Sequence, residues 1–541
     1  MGYTPEMLEM IKKVEATRAA RVEKKARGEE FAAMGIDERN ELKKKFHPDY
    51  KSDALRKVKI GPNAGDEMVN KFVDVLETPS SLELDKVDLN KVDYETDVLI
   101  IGGGGAGCAA AIMAAEEGAN VLLMTKLRLG DANTMMAEGG IQAAVRAKDS
   151  PRTHFLDTIG GGHFKNEPEL VRALVFDAPV VIDWLDRLGT MFTKNEKGVM
   201  MTIHGGGTSK KRMHSAADMS GAEIMRTLRD AARGKPNVTV VEFEPAVELI
   251  LDDKGQCFGA VVKNLETNQY KVVRAKATIV STGGSGRLHY QDFDTTNHYG
   301  ATGDGLVMAY HAGCKLCFMH PVQYHPTGVV YPAQNIGLLI TEKVRGLGAQ
   351  PINAEGEQFV FPKEPRDIES SAFIRECHDR GKGVPTPTGR VGVWLDSPMI
   401  DMLHGEGTVR RELPAKFRQF MNHGIDISRL PMLVYPTLHY QNGGVEMESD
   451  AHSKQIPNLY FAGEVAGGIH GENRLMGNSL LDINVFGRRA GGSAAKASRS
   501  VELGSPSLTH VVEYNREAGK KGLTGRVAAP ILLPDYVGKI K

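Results

Sequence analysis

The chain has 541 residues, enough to bury a sizeable core and to form more than one domain. Its apolar and charged fractions, 41% and 25%, are those of an ordinary soluble globular protein. The 67 basic and 68 acidic residues nearly cancel, which excludes a global field that would recruit nucleic acid or an anionic membrane.

Residues 1–93 are rich in Lys, Arg and Glu and poor in Gly. The N-terminus lacks the apolar stretch of a secretory signal, and Glu6 stands where a myristoylation pattern needs Ser or Thr. Glu6 to Arg27 reads as a helix that stops at Gly28, with Met7, Ile11 and Val14 as a narrow apolar stripe. A second helix is expected from Asp37 to Phe46, before Pro48. Two readings stay open: a solvated, partly disordered arm, or a docking arm that lays its stripe on another subunit.

At Tyr94 the pattern changes to strand, loop and helix. Asp97-Val98-Leu99-Ile100-Ile101 has the length and branching of a buried parallel strand. Ala106 to Glu117 is a small-residue helix, and Asn120 to Thr125 a second strand. Between them Gly102, Gly103, Gly104, Gly105, Ala106 and Gly107 satisfy G-x-G-x-x-G. Following a strand and opening a helix, this is the setting of a dinucleotide loop, with the pyrophosphate on the helix N-terminus. The motif alone does not separate NAD from FAD. Two features favour FAD: the second strand ends in Thr125-Lys126 instead of an acidic residue, and the cluster Glu138-Gly139-Gly140 would let the backbone run close to a large flat ring.

Alternating strands and helices continue to about Gly313. The stretch from Val322 to Pro431 is richer in loops and Pro and reads as an inserted second domain. Strand character returns at Leu459-Tyr460-Phe461. The five cysteines make no disulfide framework and suit a reducing compartment. Cys314-x-x-Cys317 with His320 is half of a zinc pattern without its second pair, so no metal is predicted. No segment is long and apolar enough to span a bilayer, so the expected location is the cytoplasm, with membrane attachment only through a partner.

Later motifs carry a family resemblance. They are Gln323-Tyr324-His325-Pro326-Thr327-Gly328, Leu339 through Gly346, Pro365-Arg366-Asp367, His439 through Gly444, and His470 through Leu480. With the glycine loops, in this order and spacing, the chain resembles the flavoprotein subunit of succinate dehydrogenase and fumarate reductase, within a superfamily that includes L-aspartate oxidase. The resemblance covers roughly residues 94–500. It implies an α/β fold: a Rossmann-type FAD-binding domain in two parts, 94–321 and 435–500, around an inserted α+β capping domain at 322–434. A helical N-terminal extension at 1–93 and a short tail at 501–541, in place of the family's long C-terminal helical domain, complete the expected layout.

The resemblance also implies roles. Gly102 through Gly107, Thr125, Lys126, Glu138, Gly139, Gly140, Asp304, Glu464, Ser479 and Leu480 would contact FAD. A dicarboxylate would lie over the flavin, one end held by Arg474 and His439, the other by His325 and Thr341. Arg366 would donate the proton, Glu342 and Arg345 would relay protons to it, and Asp367 would orient it. Taken singly, each of these residues reads as an ordinary structural histidine, surface arginine or helix pair; only their joint occurrence in the pattern carries the function. An iron–sulfur or other redox subunit would be the electron partner.

Four departures refine the expectation. Many members link FAD covalently through a His in a Ser-His-Thr segment; here the segment is Ala132-Asn133-Thr134, so non-covalent FAD is expected. His204 replaces a Phe and would alter a wall beside the substrate. Gln441-Asn442 replaces Thr-Met or Ser-Met and would place a polar Asn near the flavin. The N-terminal extension and the short tail imply a remodelled partner interface. The leading reading is interconversion of fumarate and succinate or a close analogue. L-Aspartate oxidase is the alternative, supported by Ile141 through Val145. A non-catalytic electron-transfer or scaffold subunit is the alternative of another class.

Overall fold

The computed structural model describes residues 2–523 and 527–536. The first helix, α1, runs Pro5–Ala26, and Thr4 caps it by accepting the Met7 N–H. The second, α2, runs Ile36–Phe46. Strand β1 (Val92–Ile101) leads through the glycine loop into α3 (Gly105–Glu116) and on to β2 (Val121–Thr125). Strands β3 (Val238–Glu242), β4 (Ala246–Asp252), β5 (Cys257–Lys263) and β6 (Tyr270–Val280) complete most of one large sheet.

The sheet is mixed. β3, β2, β1 and β6 are parallel neighbours, and β6 pairs antiparallel with β5, which pairs with β4. Val98, Leu99 and Ile100 are fully buried, as a strand covered on both faces requires.

A second, antiparallel sheet follows. Its strand β7 spans Val322–Tyr331, helix α4 spans Arg366–Ile374, β8 spans Val391–Leu395, helix α5 spans Pro414–Met421, and β9 spans Met432–Gln441. The strand order is β7, β9, β8 and then Pro351–Ile352. The chain returns to the first sheet with β10 (Leu459–Phe461), which pairs parallel with β6, and α6 (Asn478–Ser498) packs on α3. Helix α7 (Thr509–Lys520) buries Tyr514 and Ala518 in the main cluster of the first sheet and Val511 in a smaller one beside it. Each sheet has its own hydrophobic cluster, and the cleft between them holds the site described below.

Two expectations are corrected. The stripe of α1 covers no second subunit: Met7, Ile11 and Val14 are at most 2% exposed and belong to the core of the second sheet. Nor is this arm loose, because Arg18 and Arg21 both pair with the fully buried Asp396 at 2.9 and 2.7 Å. The boundary expected between 434 and 435 falls inside β9, which pairs with β7 as far as Gln441.

Candidate active site

The glycine loop sits at the C-terminal end of β1, where a parallel sheet opens its crevice. Gly102 has φ +116°, and a Cβ there would strike the Ser281 carbonyl. Gly104 is the N-cap of α3 and offers no side-chain oxygen to its first N–H groups. The Gly105 N–H instead donates to Thr134 Oγ1 at 3.2 Å, and the N–H groups of the next residues remain suited to an anion. Gly102 through Ala106 line the cleft. Gly107 does not; a Cβ on it would run into the Gly102 carbonyl, so it serves helix-on-strand packing.

The rest of the dinucleotide half is built from several elements. Thr125, Lys126, Glu138, Gly139, Gly140, Asp304, Glu464, Ser479 and Leu480 all line the same cleft. The Lys126 Nζ is 2.6 Å from Asp304 and also donates to Thr302 Oγ1 and the Gly300 carbonyl, so its charge is spent within the wall. Glu464 follows β10; its Oε1 accepts the Gln441 N–H at 2.9 Å. Asn133 Nδ2 donates to Asn297 Oδ1 at 2.7 Å and to Glu464 Oε2 at 3.3 Å. Three buried polar atoms of the lining, Glu138 Oε2, Thr282 Oγ1 and Arg474 Nε, have no hydrogen-bond partner in the protein. A cleft with glycine walls, a helix N-terminus at its edge and spare polar atoms fits a dinucleotide cofactor such as FAD.

The second half gathers buried arginines and neutral polar side chains in an arrangement suited to clamping an anion. On β7, Gln323 and His325 are two residues apart and share a face. Pro326 has no N–H to give the ladder, and the pairing with β9 shifts register beyond His325. His439 on β9 faces His325, with ring centroids 5.1 Å apart. Arg366 opens α4, where the helix dipole disfavours a cation. Glu342 counters this: Arg366 Nη2 and Nε donate to its Oε2 at 2.7 and 3.2 Å. Arg345 pairs with Glu342 Oε1 at 3.1 Å and, from behind, with Glu369. Arg474 donates to Ser479 Oγ at 2.6 Å and stacks over the Tyr440 ring at 4.2 Å. His325, Thr341, Glu342, Arg366, His439 and Arg474 line the cleft. Arg345 does not.

Burial first, and the facing guanidiniums second, hold His325 and His439 well below the usual imidazole value, so both rings are neutral at neutral pH. The Thr327 N–H donates to His325 Nδ1 at 3.2 Å, which leaves the ring proton on Nε2. Burial alone would raise Glu342, but Arg366 and Arg345 outweigh it and keep it below its ordinary value. Arg474 and Arg345 are each pushed down to about 10, chiefly by burial. Three arginines against Glu342 and Glu369 leave the pocket with an excess positive charge, which suits an anionic substrate.

Several residues differ from expectation. Asp367 does not touch Arg366; it pairs with Lys43 at 3.2 Å and lies 3.7 Å from His163. Asn442 is not open to a substrate: it holds the Pro321 and Glu472 carbonyls and accepts the Arg474 N–H. His204 is exposed and outside the cleft lining; Gly206, two residues on, is the residue packed on Glu342. Cys314 is buried, 3.7 Å from Ser453 Oγ, and among the described residues no group of three or more side chains could hold a metal.

Gln323 is part of a motif visible in the sequence, but sequence reasoning assigned it no role of its own. Its Oε1 accepts from Arg366 at 2.8 Å and from Arg474 at 3.0 Å, so one neutral amide sets the spacing of the two guanidiniums. Lys416 is another residue without an assigned role: it comes from α5 to meet Glu138 at 2.5 Å, across the two sheets. Burial pushes the Glu138 carboxyl up to about 7 despite that partner.

The model of the FAD binding domain family matches residues 97–480. The chain belongs to this family. It is 39% identical over 417 residues to a fumarate reductase (CoM/CoB) subunit of Methanothermobacter marburgensis, covering 75% of this chain and 74% of the relative. It is 34% identical over 449 residues to a succinate dehydrogenase flavoprotein subunit of Rickettsia felis, covering 78% and 72%. L-Aspartate oxidases are also among its relatives. The fold resembles a quinol fumarate reductase of E. coli, with a TM-score of 0.70 at 30% identity over 79% of this chain and 74% of that one. The protein is therefore an FAD-dependent oxidoreductase of the fumarate reductase and succinate dehydrogenase flavoprotein family.

Proposed function

We propose that this flavoprotein interconverts fumarate and succinate, or a close dicarboxylate analogue, and exchanges electrons with a partner redox subunit. The observation that carries the reading is the Arg366–Gln323–Arg474 bridge, backed by Glu342 and set beside two neutral histidines. FAD, when bound, supplies hydride exchange with an alkene carbon. The chain's own residues do the rest. Arg474 and His439 grip one carboxylate, and His325 and Thr341 the other, which orients the double bond and strips water from it. Arg366 holds a proton toward the neighbouring carbon. Negative charge growing on the substrate carbon draws that proton across. Glu342, between Arg366 and Arg345, is placed to return the proton.

The relatives' names describe subunits, which supports a redox partner, and no helix among the described residues is long and apolar enough to cross a membrane. Asn133 supports FAD held without a covalent bond, because an amide cannot form the family's flavin–histidine link. Acid precipitation should leave the yellow colour in the supernatant; colour retained in the pellet would contradict this. Anaerobic assay with a reduced viologen should show fumarate-dependent dye oxidation. Peroxide formed from L-aspartate, without fumarate reduction, would instead favour the oxidase.

A further inference from the structure

The segment from Met34 to Asp49 lies outside the family match and grips both elements that carry the proposed reacting residues. Arg39 and Lys43 are four residues apart, so one face of α2 presents both cations. Arg39 Nη2 is 2.7 Å from Glu364 Oε2, an ion pair with a fully buried carboxylate. The other oxygen of Glu364 accepts the Met34 N–H at 2.7 Å. Lys43 Nζ meets Asp367 Oδ2 at 3.2 Å. Arg366 thus sits between two carboxylates, at its i−2 and i+1 positions, that α2 holds.

The same segment reaches β7. Asp49 Oδ2 accepts the N–H of Val322, the first residue of that strand, at 3.0 Å. The His47 ring meets Tyr324 edge-on, 5.5 Å between centroids, and Tyr324 lies between Gln323 and His325. None of these contacts reaches the cleft, and Arg366 has no hydrogen bond to α2. The segment acts on the backbone that carries the clamp. A guanidinium shared between Glu342 and Gln323 needs its Cα fixed, because a misplacement of about 1 Å can cost on the order of 10²-fold in rate.

We propose that α2 is a positioning clamp for Arg366, with Arg39 and Lys43 fixing the Glu364–Asp367 turn so that the guanidinium stays aimed into the cleft. This rests on the dicarboxylate-reduction reading, and the test separates the two.

The holoenzyme is compared with Lys43→Met, Lys43→Arg and the double variant Arg39→Met/Lys43→Met, all matched for flavin content. Viologen-driven fumarate reduction and amide hydrogen exchange are both measured. The double variant should lose about tenfold in kcat with KM within about twofold, since the carboxylate grips are untouched. Lys43→Met should fall between, and Lys43→Arg should recover most of the loss. Exchange at residues 364–374 should rise in the methionine variants and not in Lys43→Arg. Unchanged exchange at 364–374 in the methionine variants overturns the clamp, whether or not fumarate is the substrate. So does an unchanged kcat in a folded, flavin-replete double variant, or an equal loss in Lys43→Arg. A wild-type enzyme that reduces no dicarboxylate overturns the functional reading, and the exchange result still decides the clamp.

Discussion

Gln323 sets the geometry of the proposed site without any charge of its own. It accepts from Arg366 and Arg474 with one oxygen, and so holds two like charges close together. Replacing it by Leu removes that oxygen at the same volume. The expected result is a fall in kcat of about 10²-fold with flavin content unchanged, read in the viologen assay. Glu342→Gln should act differently. It removes the carboxylate between two buried arginines, so stability as well as rate should fall, by about 3–5 kcal/mol in denaturant unfolding. At this scale much was legible. Glu342 and Arg345 are three residues apart, and the structure pairs them, as that spacing implies. Gln323 received no role because an amide has neither a titrating proton nor a charge to mark it. Asp367 misled because adjacency along the chain is not adjacency in space. Arg366 and Asp367 are the first two residues of α4, and neighbours on a helix point about 100° apart.

At the scale of elements, α1 is a structural staple. Its apolar stripe enters the core of the second sheet, and Asp396 ties Arg18 and Arg21 to β8. Asp396→Ala would strand two largely buried cations. It should cost about 3–5 kcal/mol, visible as a lowered midpoint of urea unfolding with a similar slope. A variant as stable as wild type would show that the arm is dispensable. The helix itself was legible, because Met7, Ile11 and Val14 repeat at helical spacing. What covers the stripe was not, since periodicity reports a buried face and not its neighbour. The same limit explains β9. Met432–Gln441 is one continuous strand, buried along most of its length although Pro436, Thr437 and His439 interrupt its apolar residues, so its composition does not show where one domain ends. The βαβ unit was read closely, because strand, glycine turn and helix are all local signals.

For the whole molecule, the near-zero net charge hides an uneven interior. Burial holds His47, His154 and His214 at about 4, and His325, His439 and His470 are lowered too, again chiefly by burial. The unfolded chain takes up protons on these rings near pH 6.5, and the folded chain does not. Their contribution to stability is present above that pH and is lost as the pH falls. Asp49, pushed up to about 8, Glu138, up to about 7, and Glu464, also raised by burial, act in the opposite sense and lose their contribution as the pH rises. Six rings outweigh three carboxyls, so stability should fall between pH 6.5 and 4, by about 1.4 kcal/mol per pH unit for each net proton. A melting temperature lower at pH 5 than at pH 7 is expected; an equal or higher one would contradict the balance.

The most direct test is the turnover number for fumarate reduction by flavin-replete wild type and Arg366→Gln under anaerobic conditions with reduced viologen. Wild type should turn over, and Arg366→Gln should fall by about 10²–10⁴-fold while still perturbing the flavin spectrum on adding fumarate. A variant within about threefold of wild type would remove Arg366 as the proton donor and, with it, the proposed mechanism.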